Sequence, residues 1–187
     1  MKSGRYSAMN IFTDPAKNWN ELEGKTIGII GMGNIGSRVA KVAEAFGMKV
    51  CYFSTSGTGH CKDYPCLPLD ELLSVSDIVS IHAPLNERTN GLIGAEQLAL
   101  MKPSALLVNM GRGGIVDEKA LADAIDNEKI AGAALDVFVK EPIPADNPLL
   151  HVRYPERLRL APHAAWASVQ ARERLVAQIA ENIAKGW

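Results

Sequence analysis

One segment near the amino terminus constrains the possible folds of this chain more than any other. Residues 26–30 (TIGII) form an apolar run typical of a buried strand, residues 31–36 read GMGNIG, and a helical pattern follows. In this order Gly31 permits a tight turn, Gly33 lets a pyrophosphate approach the backbone, and Gly36 lets the helix pack closely on the strand. The free amides and the positive dipole end of that helix then face the phosphates. The segment therefore predicts dinucleotide binding, and the absence of a lysine after Gly36 argues against a P-loop.

Short apolar runs alternate with helical patterns from Lys25 to the end of the chain. This alternation is typical of βαβ units around a parallel sheet that is buried on both faces. We therefore predict an α/β fold, a Rossmann-type doubly wound parallel sheet with helices on both faces. The predicted strands are residues 26–30, 49–53, 77–82, 105–109, 130–136 and 157–160, with a short extra one near Cys66. The predicted helices are residues 35–46, 69–74, 95–100, 118–127 and 168–184.

Two of the predicted helices carry an apolar stripe. The stripe of the first, which Gly47 ends, consists of Ile35, Val39, Val42, Ala43 and Phe46. The stripe of the last consists of Val169, Leu175, Val176, Ile179 and Ile183. Residues 141–148 hold three prolines and are predicted to form a loop, because proline lacks the amide hydrogen that helices and sheets use.

The bulk composition narrows the possible partners. The chain has 187 residues, of which 47% are hydrophobic, with 20 basic against 21 acidic side chains. At a net charge of −1 no overall field draws it to nucleic acid or to an anionic membrane, so we expect a small-molecule partner. It contains no apolar run of the roughly 20 residues needed to span a bilayer and no leader-like segment at its start, so we expect a cytoplasmic protein.

The cysteines do not predict a metal site. Cys51, Cys61 and Cys66 lack the paired CxxC spacing of structural zinc sites. His60 stands beside Cys61, yet without a second ligand pair we interpret this region as a loop with reduced thiols. We expect no metal.

The end of the second strand bears on the choice of cofactor. In dinucleotide-binding folds an acidic residue about 20 residues after the glycine turn holds the ribose 2′-hydroxyl of NAD and repels the 2′-phosphate of NADP. Here residues 52–57 read YFSTSG, so Ser54 stands where the acid is expected. The usual exclusion of NADP is therefore absent, and no arginine stands beside Ser54 to require the phosphate. The sequence leaves NAD and NADP both open.

Four further segments complete a pattern that resembles a known family. Residues 81–86 read IHAPLN, residues 108–114 read VNMGRGG, residues 134–138 read ALDVF before Glu141-Pro142, and Pro162-His163 follows the last strand. From about Gly24 to the carboxyl terminus the chain resembles the NAD-binding domain of the D-isomer-specific 2-hydroxyacid dehydrogenases. Within that family, the residues after the histidine are most similar to those of glycerate dehydrogenases (hydroxypyruvate reductases).

The resemblance implies an oxidoreductase that transfers a hydride between NAD(P) and a small D-2-hydroxy acid or 2-oxo acid, such as glycerate and hydroxypyruvate or glyoxylate. It makes Arg112 the catalytic group that holds the substrate carboxylate and polarises the ketone, a task suited to a planar, permanently charged fork. His163 would protonate the ketone oxygen. Glu141 would orient His163 and favour its imidazolium form.

The resemblance also implies a set of cofactor contacts. Asn34 and Ile35 would lie against the pyrophosphate, whereas Asp136, a buried carboxylate that needs donors, would meet the nicotinamide end. His60, His82 and His151 are interpreted as structural residues. The full predicted cofactor-binding set is Gly31, Gly33, Asn34, Ile35, Gly36, Ser54, Ala83, Pro84, Met110, Gly111, Arg112, Asp136, His163 and Ala165.

The domain organisation is expected from the same resemblance. Residues 1–23 would be a remnant of an inter-domain crossing helix and linker, and residues 24–187 the dinucleotide-binding domain, with the substrate domain largely absent. We expect such a chain to bind the cofactor but to be inactive by itself, and the family implies a homodimer. An NAD(H)-sensing regulator similar to transcriptional corepressors stays open, because such regulators can retain the arginine, glutamate and histidine. Glu141 argues against formate dehydrogenases, which carry glutamine beside the histidine.

Overall fold

The structure is a computed structural model that describes residues 4, 6–13, 20–59 and 61–186. Six strands form one sheet in the order β2-β1-β3-β4-β5-β6, and every pairing is parallel. The strands are β1 (Thr26–Ile30), β2 (Lys49–Phe53), β3 (Ile78–Ile81), β4 (Leu106–Asn109), β5 (Gly132–Leu135) and β6 (Leu158–Leu160). All six predicted strands are confirmed, four of them slightly shorter than predicted. The extra strand near Cys66 is wrong, since that residue forms only an isolated bridge with Tyr52.

Five α-helices connect and flank the strands. They are α1 (Asn34–Ala45), α2 (Leu69–Val75), α3 (Ala95–Leu100), α4 (Glu118–Asp126) and α5 (Val169–Ala184). Gly47 ends α1 with a positive φ of 76°, the left-handed conformation that glycine adopts without strain. Asp117 caps α4 and Ser168 caps α5, each by accepting a backbone amide on its side chain. The predicted helices are confirmed to within a residue at each end.

The helices cover both faces of the sheet. Ile27 and Ile29 of β1 pack in one cluster with Ala40 and Ala43 of α1. On the opposite face of β1, a Cβ placed on Gly28 would lie 2.5 Å from Leu72 of α2, so that this strand and helix are in close contact. Alternate residues of β1 therefore face different helices, as in a sheet buried on both sides, and the predicted Rossmann-type architecture is confirmed.

Most residues of the apolar stripe of α1 do not lie on the side of the helix that faces the sheet. Ile35, Val42 and Phe46 are 63%, 58% and 61% exposed, whereas the buried residues of α1 are Gly36, Ala40 and Ala43. The reason is the short distance between helix and strand at the glycine turn, where only small side chains fit. The stripe correctly predicted a helix. Two of its residues face the core, since Ala43 is buried and Val39 packs against the cluster of β1.

The last helix lies on the surface. None of the sixteen residues of α5 is buried, and all five residues of its predicted stripe are exposed. Apolar surface of this kind in soluble proteins marks contact regions. In the part of the chain that the structure describes, no helix has the length and apolarity needed to cross a membrane.

Part of the expected crossing-helix remnant, residues 1–3, 5 and 14–19, lies outside the described residues. Within the remnant, the structure describes one short 3-10 helix at Tyr6–Ala8.

The strand order determines where a ligand can bind. From β1 the chain passes to β2 on one side and then returns to β3 on the other side of β1. At such a reversal the two connections leave in opposite directions and open a crevice outside the carboxyl ends of the strands. The loops that follow β1 and β3 therefore border the expected binding crevice.

Candidate active site

The glycine turn after β1 has the geometry that a dinucleotide pyrophosphate requires. Gly31 has a φ of 94°, and a Cβ there would lie 2.9 Å from the backbone nitrogen of Ala83. At Gly36 a Cβ would lie only 2.2 Å from the carbonyl oxygen of Gly31, whereas at Gly33 it would meet nothing within 4 Å. Two glycines thus permit close packing, and the third leaves open space at the start of α1. Asn34 and Ile35 are exposed beside that space, so the residues present fit a dinucleotide phosphate.

Ser54 lies at the junction of two cavities at the end of β2. One, of about 290 Å³, includes Gly31, Gly33 and Ser54 among its lining residues. The other, of about 330 Å³, includes Ser54 and Arg88. The hydroxyl of Ser54 donates to the carbonyl oxygen of Thr58 at 2.5 Å. Ser54 therefore lies next to the glycine turn, where the ribose contact was predicted.

An arginine from a distant part of the sequence reaches the loop that contains Ser54, although none stands beside Ser54 in the sequence. Arg88 Nη1 donates to the carbonyl oxygen of Ser56 at 3.0 Å and so reaches the loop after β2. Sequence reasoning missed this contact because Arg88 lies 32 residues from Ser56, on the loop after β3. The signal available was the strand order, since β2 and β3 flank β1.

Arg112 projects from a turn that the side chain of Asn109 holds. Asn109, which is 1% exposed, donates from Nδ2 to the carbonyl oxygen of Arg112 at 3.0 Å and accepts the amide of Gly111 at 3.0 Å. Arg112 itself is exposed, and its Nη1 donates to the carbonyl oxygen of Gly111 at 2.8 Å. Asn109 was not predicted as a site residue, although asparagine at a strand end before glycine is a turn signal.

The cavity of about 520 Å³ beside Arg112 collects six of the residues predicted to contact the cofactor. They are Ile35, Ala83, Pro84, Met110, Gly111 and Arg112. The side chain of Ala83 is buried, and its backbone lies against both Gly31 and Gly111. Ala83 therefore offers little surface to a cofactor, and its predicted contact stays a prediction.

Glu141 and His163 form a hydrogen-bonded pair. Nδ1 of His163 lies 2.7 Å from Oε2 of Glu141, and Oε1 of Glu141 accepts the amide of Phe138 at 2.9 Å. The hydrogen bond from His163, and then that from Phe138, hold the pKa of Glu141 below its ordinary value against the opposing effect of burial. Because Glu141 is then ionised near neutral pH, the hydrogen between the two residues belongs to Nδ1, and Nε2 remains for a substrate.

The backbone of His163 is strained. Its φ is 51°, in the left-handed region that costs a residue other than glycine roughly 1–3 kcal/mol. Such conformations persist only where the surroundings hold them, and they cluster at functional sites. His163 lines a cavity of about 420 Å³ together with Phe138, Glu141 and Pro142.

Asp136 holds the turn that follows His163. This residue is 3% exposed, and its two carboxylate oxygens accept the amides of Ala164 and Ala165 at 2.8 and 2.9 Å. The donors that a buried carboxylate requires are therefore both backbone amides of this turn. Ala165 was predicted as a cofactor contact, and its amide donates to Asp136.

Arg112 and the Glu141–His163 pair lie on loops that touch. A Cβ on Gly113 would lie 1.8 Å from the carbonyl oxygen of Phe138, so these two backbones are in close contact. Phe138 also donates its amide to Glu141. Within the described part of the chain, however, Arg112 forms neither a hydrogen bond nor an ion pair with Glu141 or His163, and it lines a different cavity.

The remaining histidines and cysteines lie outside this arrangement. Nε2 of His82 is hydrogen-bonded to Ser80 Oγ at 2.9 Å, and Nε2 of His151 lies 2.7 Å from the carbonyl oxygen of Ala145. Burial lowers the pKa of His82. Among the residues that the structure describes, which exclude His60, no group of three or more potential ligands could hold a metal ion, and the three cysteines are free thiols.

Known proteins match this chain in sequence. Residues 1–165 match the profile of the family described as D-isomer specific 2-hydroxyacid dehydrogenase, NAD binding domain. The chain is 47% identical over 166 residues to a glyoxylate reductase of Korarchaeum cryptofilum, and the alignment covers 87% of the chain and 49% of the relative. It is 42% identical over 163 residues to a glycerate dehydrogenase of Methylorubrum extorquens, with 87% and 50% covered. The chain thus spans about half the length of these relatives.

A solved structure matches the fold. An acyclic imino acid reductase, Bsp5, in complex with NADPH and D-Arg superposes with a TM-score of 0.83 at 36% identity, covering 97% of this chain and 56% of the other. The likeness extends the sequence match to the arrangement of the sheet and helices.

Substitutions at Gly33 and Gly28, whose surroundings differ, distinguish an effect on cofactor binding from an effect on folding. We expect Gly33→Ala to weaken NADH binding at least tenfold, because its Cβ would enter the space at the pyrophosphate turn, while the free energy of unfolding changes by no more than about 1 kcal/mol. As the control, Gly28→Ala should lose about 1–3 kcal/mol of stability through overpacking, since its Cβ would lie 2.3 Å from Ser76 Oγ, yet bind NADH normally once folded. Urea unfolding and calorimetry measure both. Unweakened binding by Gly33→Ala would contradict the assigned turn.

Proposed function

Because the chain belongs to the D-isomer-specific 2-hydroxyacid dehydrogenase family, we propose that the protein carrying it interconverts small 2-oxo acids and D-2-hydroxy acids. The observation that carries this proposal is the hydrogen-bonded pair of Glu141 and His163, held in a strained turn beside the loop of Arg112. A bound NAD(H) or NADP(H) would supply or accept the hydride, while the side chains of this chain manage the proton and the substrate charge.

His163 is suited to move the proton. Its Nδ1 is engaged by Glu141 at 2.7 Å, which fixes the ring orientation and leaves Nε2 to donate to the ketone oxygen during reduction. In the oxidative direction Nε2 takes the proton back from the hydroxyl group. The pKa of Glu141 lies below its ordinary value, so a carboxylate faces Nδ1 and holds the ring in this orientation.

Arg112 is suited to hold the substrate carboxylate. One of its N–H groups is used on the carbonyl oxygen of Gly111, and the exposed guanidinium has further donors in a planar fork. Such a fork matches a carboxylate in a bidentate manner and can also polarise the neighbouring ketone. The backbone of Gly113 lies close to that of Phe138, whose amide donates to Glu141, and this proximity supports a shared substrate site.

We propose glyoxylate and hydroxypyruvate as the substrates of reduction, with D-glycerate in the reverse direction. Support comes from the relatives named glyoxylate reductase and glycerate dehydrogenase and from the residues that follow His163. Homodimer formation and a cytoplasmic location stay predictions.

A substrate panel tests the proposed function. In the whole protein, we expect NADH- or NADPH-dependent reduction of hydroxypyruvate and glyoxylate with higher kcat/KM than that of pyruvate, measured by cofactor absorbance. The 187-residue chain alone should bind the dinucleotide in a calorimetric titration yet turn over at least a thousandfold more slowly, because closure of a second domain over the substrate contributes positioning worth roughly 7–11 kcal/mol.

Three results of this panel would contradict the proposal. A strong preference for bulky or aromatic 2-oxo acids would overturn the substrate assignment. Cofactor binding without turnover of any 2-oxo acid by the whole protein would favour a regulator of the same fold. Turnover by the chain alone that equals that of the whole protein would show that no second domain is needed.

The role of Glu141 is tested by a pH profile. The lowered pKa of Glu141 means that it carries a negative charge near neutral pH, 2.7 Å from the ring of His163. Glu141→Gln removes this charge while nearly keeping the shape. We therefore expect the alkaline limb of kcat/KM for reduction to move to lower pH.

Glu118→Gln is the matched control, because Glu118 holds the same loop through the amide of Val139 and the side chain of Asn147 without forming a hydrogen bond to His163. This variant should leave the alkaline limb of kcat/KM at its original pH. An unshifted limb in Glu141→Gln, or an equal shift in both variants, would show that Glu141 is not the partner of the catalytic acid.

A further inference from the structure

We propose that Arg88 and the hydroxyl-rich loop 54–59 form a subsite for the 2′-phosphate of NADP(H), so that the protein binds NADPH in preference to NADH. Arg88 is then a specificity-determining residue that acts from the loop after β3. This inference rests on the proposed function, since it concerns the same cofactor.

The location of Arg88 is the first support. A dinucleotide with its pyrophosphate at the glycine turn places its adenosine ribose at the end of β2, which is where Ser54 lies. Ser54 lines both the cavity of the glycine turn and the cavity that contains Arg88. The cavity at the ribose position and the cavity beside the guanidinium therefore adjoin at Ser54.

The charge of the two cavities is the second support. Arg88 is the charged residue among those that line them, and neither lining includes a carboxylate in the described part of the chain. The residues that flank the ribose position, Ser54, Thr55 and Ser56, carry hydroxyl groups. Hydroxyls and a guanidinium bind phosphate well, whereas the acid that normally holds the 2′-hydroxyl and repels phosphate is missing.

The rigidity of the Arg88 loop is the third support. Thr89 is fully buried, its hydroxyl donates to the carbonyl oxygen of Pro84 at 2.7 Å, and it accepts the amide of Asn86 at 2.8 Å. The amide of Arg88 donates to Asn86 Oδ1 at 2.9 Å. The backbone that carries the guanidinium is thus held by three hydrogen bonds, which reduces the entropy lost when an anion binds.

The guanidinium is also directed toward the ribose loop. Its Nη1 donates to the carbonyl oxygen of Ser56 at 3.0 Å and lies 3.4 Å from the position of a Cβ on Gly57. One of five N–H groups makes this contact, and the fork has others with which to meet a phosphate. If Arg88 had a purely structural role and only connected the loops after β2 and β3, the same contact would form. The protein would then not discriminate between NADPH and NADH through Arg88.

The experiment compares affinities by calorimetry, using NADPH and NADH and the smaller probes adenosine 2′,5′-bisphosphate and 5′-AMP. We expect the unaltered protein to bind each 2′-phosphorylated ligand about tenfold or more tightly than its counterpart, as a charge-assisted contact implies. Arg88→Gln should remove most of that difference and change NADH affinity less than twofold. Ser54→Asp should reverse the preference toward NADH.

Arg159→Gln is the control for loss of one positive charge. Arg159 also donates to a backbone carbonyl oxygen, that of Leu158, but it lies on β6 at the opposite edge of the sheet from β2. It should leave all four affinities unchanged.

If Arg88→Gln weakened the binding of NADPH and NADH equally, Arg88 would only connect the two loops. That result would overturn the subsite. A preference of the unaltered protein for NADH would overturn it as well. Failure of both dinucleotides to bind would instead overturn the proposed function, and the inference with it.

Discussion

The parallel direction of all six strands is the constraint on which the candidate site depends. Because every strand ends at the same edge of the sheet, the loops after β1, β4, β5 and β6 open on one side. These loops carry Gly31, Arg112, Asp136 and His163, which lie far apart in the sequence. In an antiparallel sheet half of them would lie at the other edge. The reversal at β1 adds a crevice at that edge, and the pyrophosphate turn lies within it.

At this edge, buried polar side chains hold the loops that carry the candidate site residues. Asp136 binds the amides after His163, Asn109 binds the turn of Arg112, and Thr89 binds the loop of Arg88. Each is at most 3% exposed, so each would be costly to bury without its partners. Satisfying them requires one particular loop geometry. The left-handed backbone of His163 is a consequence, since its strain is offset by the hydrogen bonds of the turn that follows.

The sequence was sufficient for the order of the elements, whereas the roles assigned to the site residues stay predictions. The apolar runs of β1 to β6 are short and bounded, and GMGNIG follows a strand, so local patterns were enough. Periodicity did not show that Gly36 and Ala40 lie on the buried side of α1, because only small side chains fit where Gly36 closely contacts Gly31. Arg88 was missed because its proximity to Ser54 depends on strand order, and Asn109 because its role is to hold a turn. Interactions of this kind exist only after the chain has folded.

The proposed function requires that this edge of the sheet support the reduction of a 2-oxo acid and not only the binding of a dinucleotide. Arg112→Ala in the whole protein distinguishes the two, when kcat/KM for a 2-oxo acid is measured together with NADH affinity. We expect kcat/KM to fall at least about a hundredfold, since contacts to the charge that develops in the transition state are among the largest catalytic contributions. NADH affinity should barely change. Undiminished reduction by Arg112→Ala would show that Arg112 does not act on the substrate.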